Sequence, residues 1–173
     1  MNEEIRKRNV LYKLGNSLWT KGLYCIESDK KGFNEYRFYD GELIADWPDD
    51  IKFVFDGEPL EDFIVGGLHW RLVSDQVRQI FEQEKVPGVQ FLPVKVLYAK
   101  TGDYIGPYWA PNIMLTASSV EEGFSSGYEF FRRSTATFIS DRLKRLLEKA
   151  KVTRGAYFRP VPMKMLGLDD SKV

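Results

Sequence analysis

The stretches LVSDQVRQIFEQEKVPGVQFLPV, Leu72 to Val94, and FISDRLKRLLEKAKVTRGAYFRPV, Phe138 to Val161, are two copies of one segment. Aligned with one extra residue in the second copy, they share Ser-Asp, Glu, Lys-Val, Gly, Phe and Pro-Val in the same order. Ordinary composition gives about one or two matches by chance over this length, so the segment is duplicated. Two copies are too few for a stacked solenoid, which indicates a repeated unit inside one domain.

Each copy predicts a helix, a glycine-containing turn and a strand. Ser74 and Ser140 are predicted as structural caps whose hydroxyls accept from N–H groups of the first helical turn. Asp75 and Asp141 complete these caps by placing negative charge against the positive end of each helix. Apolar residues recur at the helical spacing i, i+3, i+4, and they are Val77, Ile80 and Phe81 in one copy and Leu143, Leu146 and Leu147 in the other.

The remaining sequence predicts a mostly antiparallel or mixed sheet. Residues 8–27 carry aromatic residues between Gly and polar residues, and EYRFYDGELIADW, residues 35–47, is typical of two strands around an Asp-Gly turn, which together predict an N-terminal β-meander. Residues 51–65 repeat the pattern with Asp56-Gly57. Residues 101–112, TGDYIGPYWAPN, are broken by Gly and Pro and are predicted to form a loop or an irregular edge. The segment 162–173 is expected to fray. Without a linker, the 173 residues are expected to form one α+β domain, 1–173.

Charge is balanced overall, with 25 basic and 25 acidic residues, but it is unevenly distributed. Residues 40–62 contain nine acids and one base, a local net charge of −8. Residues 132–164 contain ten bases and two acids, a local net charge of +8. The protein is therefore expected to present an acidic surface at one end and a basic surface at the other.

Cysteine and histidine content limits the chemistry. Cys25 is the single cysteine and His69 the single histidine, so neither an internal disulfide nor a Cys/His zinc set is available, and no metal or cofactor is expected. The start, MNEEIRKRN, lacks the apolar run of a signal peptide, and no apolar stretch is long enough to span a membrane. We therefore expect a cytoplasmic protein without a membrane partner.

Two segments are candidate binding sites. The acidic stretch at Asp46, Trp47, Asp49 and Asp50 combines anions with an aromatic residue of the kind enriched at binding hot spots. Its alternative is a charged hairpin with Trp47 tucked underneath. The second group, Tyr104, Tyr108 and Trp109, forms either exposed anchors for a partner or a loop that covers the core.

Catalytic motifs are absent from the sequence, which contains no glycine-rich phosphate loop, G-x-S-x-G, H-E-x-x-H or C-x-x-C. A hydrolase that uses Cys25 or His69 is the least favoured alternative. The carboxylate pairs Asp49-Asp50 and Glu61-Asp62 would suit a divalent metal, although solvated turns explain them more simply.

A nucleic-acid-binding regulator is the main alternative function. Its phosphate contacts would come from Lys144, Arg145 and Lys149 on the basic C-terminal helix. A solvated helix face explains the same residues, and the zero net charge does not favour nucleic acid as a partner.

The duplicated S-D segment followed by G-x-x-F-x-P-V, at Ser74 to Val94 and Ser140 to Val161, resembles a family of bacterial immunity proteins. These are small antitoxins encoded beside polymorphic toxins, in the group numbered eleven, with group forty-three related to it. The resemblance covers residues 40–161, and FRPV, Phe158 to Val161, is its most typical part.

This resemblance implies a non-catalytic protein that binds a cognate toxin domain in the cytoplasm and inhibits it stoichiometrically. A nuclease toxin with a basic cleft would be drawn to the acidic segment. The resemblance transfers no interface residues, so the toxin-binding candidates remain those identified above. It leaves self-association into a homo-oligomer open.

Overall fold

The computed structural model describes residues 10–16, 23–25, 35–49, 51–55, 61–66 and 70–168. The strands are β1 (Leu11–Asn16), β2 (Leu23–Cys25), β3 (Lys52–Phe55), β4 (Phe63–Gly66), β5 (Trp70–Ser74), β6 (Val89–Tyr98), β7 (Tyr104–Ile113), β8 (Phe130–Arg133), β9 (Ala136–Ser140) and β10 (Ala156–Pro160). The helices are α1 (Asp75–Gln83), α2 (Val120–Ser125) and α3 (Asp141–Lys149), with 3₁₀ turns at Glu35–Tyr39 and Met163–Leu166. The predicted α+β class with mixed sheets is confirmed.

The strands form two sheets. Six strands close into a barrel in the order β2-β3-β6-β7-β5-β4, and four form an antiparallel sheet in the order β10-β1-β9-β8. The barrel is mixed, because β3 runs parallel to β6 and β2 parallel to β4.

The duplication extends further in space than in sequence. In the barrel, the first copy supplies β5, α1 and β6, and in the other sheet the second copy supplies β9, α3 and β10. The order β6-β7-β5-β4 matches β10-β1-β9-β8 strand for strand. We call β4, β5, α1, β6 and β7 the first unit, and β8, β9, α3, β10 and β1 the second unit. In the first unit, the middle strand β7 lies between β6 and β5 and directly follows the first copy of the segment in the chain. In the second unit, β1 takes the equivalent position, although it lies at the other end of the sequence.

The pairing registers of the two units agree. Trp109 on β7 lies opposite Val73 and Pro93, and Tyr12 on β1 lies opposite their sequence equivalents, Ile139 and Pro160. The preceding strand is also equivalent, because Ser74 N donates to Asp62 O at 2.9 Å and Ser140 N donates to Glu129 O at 2.8 Å. Each unit therefore contains a hairpin, a helix and two further strands.

The buried apolar residues of the described segments form three clusters, to which strand alternation and the apolar helix faces direct them. The barrel interior contains Ile44, Ile51, Phe53, Phe55, Ile64, Leu72, Leu92, Val94, Val96, Tyr108 and Ala110. The central cluster joins the two units and contains Leu14, Phe63, Val73, Val77, Phe81, Val86, Ile113, Phe130, Ile139, Leu143, Leu147 and Val152. The outer cluster, under α2 and the last 3₁₀ turn, contains Leu11, Val120, Phe131, Phe138, Val161 and Leu166.

Both repeat helices begin and end in the same way. Ser74 Oγ accepts from Val77 N at 3.4 Å, and Ser140 Oγ accepts from Leu143 N at 3.2 Å. At the other end, Lys85 and Lys151 have positive φ, 52° and 59°, and the next N–H returns to the carbonyl five residues back. This hydrogen-bond pattern is the Schellman motif, which usually places glycine at the left-handed position.

The predicted β-meander is wrong. Strands β3 and β4 do not pair, because β2 lies between them, and β1 belongs to the other sheet. The predicted turn at Asp56-Gly57 lies outside the described residues. Residues 35–47 form a 3₁₀ turn and non-strand backbone instead of two strands. Long-range pairing decided these positions, and local turn signals do not encode it.

Two further predictions are corrected. Residues 104–113 form the strand β7 rather than a loop. Strand β7 pairs with β6 along most of its length and with β5 only at Tyr108 and Trp109. That short ladder leaves Pro107 and Pro111 outside it, so their missing N–H groups are tolerated. The segment expected to fray contains a 3₁₀ turn anchored by the buried Leu166, while residues 169–173 lie outside the described residues.

Candidate functional site

The two candidate segments meet at one surface depression, here called the aromatic groove. Its lining residues are Asp49, Pro93, Val94, Lys95, Tyr104, Pro107, Tyr108 and Trp109, and its volume is about 190 Å³. The groove follows the β6–β7 ladder, where Pro93 lies opposite Trp109 and Lys95 opposite Pro107. Sequence reasoning missed Pro93 and Lys95 as site residues, because their place here depends on this strand pairing.

Trp47 is a support of the groove. Its indole Nε1 donates to the carbonyl oxygen of Pro93 at 2.7 Å, and its ring meets Phe38 edge to face at 5.8 Å between centroids. The side chain is half-buried against the barrel cluster. Trp47 thus holds the segment that precedes Asp49 against β6.

Tyr108 lies inside the barrel at 5% exposure. Its hydroxyl donates to the carbonyl of Glu61 at 2.9 Å. Burial, together with the charge of Asp62, raises the pKa of Tyr108 to about 12. Tyr108 is a lining residue of the groove, but its side chain packs in the barrel cluster and its hydroxyl is bonded inside the fold.

Trp109 is half-buried and clamped to α1. Its Nε1 donates to Asp75 Oδ1 at 2.9 Å, while the guanidinium of Arg78 lies 4.4 Å from the ring centroid. Desolvation alone would raise the pKa of Asp75, but hydrogen bonds from Arg78 and Trp109 outweigh it and leave that pKa below its usual value. Asp75 therefore remains ionised at neutral pH and accepts both bonds.

The most exposed aromatic residue at the groove is Tyr104, at 56% exposure. Asp49 and Lys95 are exposed beside it. Asp46 lies outside the groove and pairs with Arg37 at 2.5 Å, a contact that lowers the pKa of Asp46. Asp50 lies outside the described residues. Tyr104, Asp49 and Lys95 are thus the groove side chains best placed to meet a partner.

The acidic segment presents less free charge than its sequence suggests. Asp62 is 2% exposed and accepts from Arg154 N and Nε, both at 3.1 Å. It does not lie in a solvated turn but joins the second repeat to the first. The exposed acids of the described segment are Asp40, Glu42, Asp46 and Asp49.

The positive charge of the basic C-terminal unit is likewise compensated in part by acids of the fold. Lys144 pairs with Glu148 at 2.6 Å, and Arg145 pairs with Asp141 at 2.8 Å. Lys144 also lies 4.8 Å above the ring of Tyr12, in the same way that Arg78 lies above Trp109. Two of the three proposed phosphate-binding cations therefore have structural partners within the fold.

Of the two residues considered for catalysis, Cys25 and His69, only Cys25 lies within the described residues. Cys25 lies on β2 opposite Phe53, and His69 lies outside the described residues. Among the described residues, no three His, Cys, Asp or Glu side chains are grouped so as to hold a metal ion. None of the described helices is long and apolar enough to cross a membrane.

Comparison with known proteins identifies the family. No curated protein matches the chain. The family model described as the immunity protein family (Imm11) matches residues 1–130 of the 173, which include every residue of the aromatic groove. The match ends before the second copy of the duplicated segment, so FRPV, which carried the resemblance most strongly, lies beyond it. The chain belongs to the immunity protein family Imm11.

Proposed function

We propose that this protein binds a cognate toxin domain one to one, without catalysis, and inhibits it through the aromatic groove and the exposed carboxylates that precede it. The observation that carries the proposal is the family match over residues 1–130. The groove supports it because Tyr104 is an exposed aromatic side chain on the paired strands β6 and β7, flanked by Asp49 and Lys95. Exposed aromatic residues of this kind are enriched at binding hot spots.

Co-expression tests the role directly. The toxin domain encoded next to this gene should arrest growth alone, and growth should return when this protein is produced with it. The two chains should copurify as a one-to-one complex on size-exclusion chromatography. Rescue of growth with no complex detectable at micromolar concentrations would contradict inhibition by binding.

The groove is tested by truncating its exposed aromatic side chain. Tyr104→Ala should weaken the complex by about 2 kcal/mol, chiefly through faster dissociation, if Tyr104 is a hot spot. Tyr157→Ala is the matched control, because Tyr157 is 58% exposed on β10 in the other sheet. Equal affinities of the two variants would move the interface away from the groove.

We further propose that the toxin is a nuclease, met in the cytoplasm, and that the acidic residues steer its basic cleft. The combined change Asp46→Lys, Asp49→Lys and Asp50→Lys should slow association about tenfold at low salt, and this effect should shrink as salt screens exposed charges. The purified toxin should degrade DNA or RNA and should stop when one equivalent of this protein is added. A toxin without nuclease activity would refute this part of the proposal while leaving the binding role intact.

A further inference from the structure

A cavity of about 70 Å³ lies between the two repeat units, within the central cluster. Its walls are mostly apolar and come from both units, including Leu14, Phe63, Val77, Phe81 and Phe130. Thr135 is the exposed member of the lining, so the cavity reaches the surface at the β8–β9 turn. The cavity and the aromatic groove share no lining residue.

Two arginines extend the apolar rows that face this cavity. Arg71 lies two residues before Val73 on β5, and Arg132 two residues after Phe130 on β8, so strand alternation directs both pairs to the central cluster. Arg132 is 6% exposed and donates to the backbone carbonyls of Phe38 and Tyr39. Both arginines line the cavity.

The guanidinium of Arg71 is less completely hydrogen-bonded than that of Arg132. The Nη1 of Arg71 is buried and has no hydrogen-bond partner among the described residues. None of the described residues that line the cavity carries a carboxylate. A buried guanidinium nitrogen without an acceptor is unfavourable by about 1–3 kcal/mol or more, which is why such groups in proteins usually meet an anion or water.

Burial acts on both guanidinium groups. It lowers the pKa of Arg71, an effect that Tyr39 offsets only in part. Burial also lowers the pKa of Arg132 against the smaller opposing effects of Tyr39 and the exposed Asp40. Arginine still remains protonated at neutral pH, so the cavity wall carries two positive charges in apolar surroundings.

We propose that this cavity binds a small carboxylate with a short apolar chain, whose carboxylate pairs with Arg71 and whose chain contacts the central cluster. The planar guanidinium matches a carboxylate with two parallel hydrogen bonds. A water molecule requires about 10–15 Å³ by the same measure, so the cavity of about 70 Å³ holds roughly five to seven non-hydrogen atoms, enough for a short-chain carboxylate. Apolar walls favour a short alkyl chain over a phosphate, which needs donors on all sides. This site does not depend on toxin binding.

Sodium butyrate is the probe, and butyramide and inorganic phosphate at equal ionic strength are the controls. Isothermal titration calorimetry and thermal melts of the full chain should show saturable butyrate binding with Kd below about 5 mM, and much weaker binding of both controls. Arg71→Met should weaken butyrate binding at least tenfold. Arg159→Met is the matched control, because Arg159 is exposed on β10, and it should leave binding unchanged.

Stability without ligand provides a second readout. Arg71→Met should melt no lower than the parent in the absence of butyrate, because it removes a guanidinium whose buried Nη1 has no hydrogen-bond acceptor among the described residues. Should this variant not fold, Thr135→Trp, at the exposed rim, replaces it and should likewise weaken binding at least tenfold. Absence of saturable binding by butyrate or its homologues up to about 50 mM would overturn the proposal. Equal binding of butyramide, or full affinity in the variant that is tested, would also overturn it.

Discussion

At the residue scale, the two repeat helices end at lysines that hold a conformation in which glycine is favoured. Lys85 and Lys151 have φ of 52° and 59°, and both are exposed. For an L-residue with a Cβ, the left-handed region is unfavourable by about 1–2 kcal/mol. The hydrogen bonds of the Schellman motif and the burial of the next residue, Val86 or Val152, hold each lysine there.

Lys85→Gly and Lys151→Gly are therefore each expected to raise the free energy of unfolding by about 0.5–1 kcal/mol, since glycine removes the Cβ conflict. Urea unfolding at neutral pH measures the change. Lys149→Gly is the control within α3, where glycine should instead destabilise by about 1 kcal/mol. Destabilisation at positions 85 and 151 would show that the lysine side chains contribute more than their backbone strain.

At the scale of elements, each repeat helix contacts the middle strand of its unit through the same three kinds of side chain: a carboxylate, a cation and an aromatic ring. In the first unit Asp75 accepts from Trp109 and Arg78 lies over the indole. In the second, Asp141 accepts from the hydroxyl of Tyr12 at 3.3 Å, and Lys144 lies over the phenol ring. An acid in the first helical turn and a cation three residues later therefore clamp an aromatic residue of the neighbouring strand.

Removing the donor of either clamp should destabilise the domain. Trp109→Phe should lower the free energy of unfolding by about 1–2 kcal/mol, and Tyr12→Phe by less, because the bond of Tyr12 is longer. Urea unfolding measures both, with Tyr157→Phe as the exposed control. If Trp109→Phe instead leaves stability unchanged but weakens the toxin complex, Trp109 acts as a partner anchor and not as a clamp.

A second element-scale contact joins the two units through Arg142. This guanidinium contacts Glu129 and Glu84, each at 2.6 Å, and so links α3 to the residue just before β8 and to the C-cap of α1. The hydrogen bond from Arg142 lowers the pKa of Glu129, against the opposing effect of burial. A carboxylate with a lowered folded-state pKa contributes stability that is complete above its unfolded pKa, about 4.3, and is lost as pH falls through the folded value.

Glu129→Gln should consequently destabilise the protein at pH 7, and the difference from the parent should shrink by at least half near pH 3. Thermal melts of both proteins between these pH values measure the difference. A difference that stays constant over this range would mean that Glu129 acts through packing and not through its charge.

These elements also show what sequence alone determines. The caps, helix faces and turns of the two copies follow from contacts a few residues apart, so Ser74, Ser140 and the apolar stripes were predictable. The position of Tyr12 beside Asp141 and that of Asp62 beside Arg154 depend on pairings across 129 and 92 residues, which no local pattern reports. The aromatic groove is an intermediate case, because its residue types were visible but their convergence required β7 to be a strand.

At the scale of the whole molecule, the second unit is completed by a strand from the far end of the sequence. In the first unit the middle strand β7 follows β6 through a short turn. In the second unit β1 takes that place between β10 and β9, with Leu14 in the central cluster and Leu11 in the outer cluster. The four-stranded sheet and two of the three clusters therefore depend on β1.

Deletion of residues 1–16 should abolish cooperative unfolding, because it exposes β9 and β10 and removes Leu11 and Leu14 from two clusters. Restoring residues 10–16 after Leu168 through a flexible linker of about 12 residues should recover folding, since the middle strand would then follow its own unit as β7 follows β6. Circular dichroism melts of the deletion, the rearranged chain and the parent provide the comparison. A deletion that melts like the parent would show that the second unit folds without its middle strand, whereas failure of both variants would mean that β1 must precede β2 for the barrel to close.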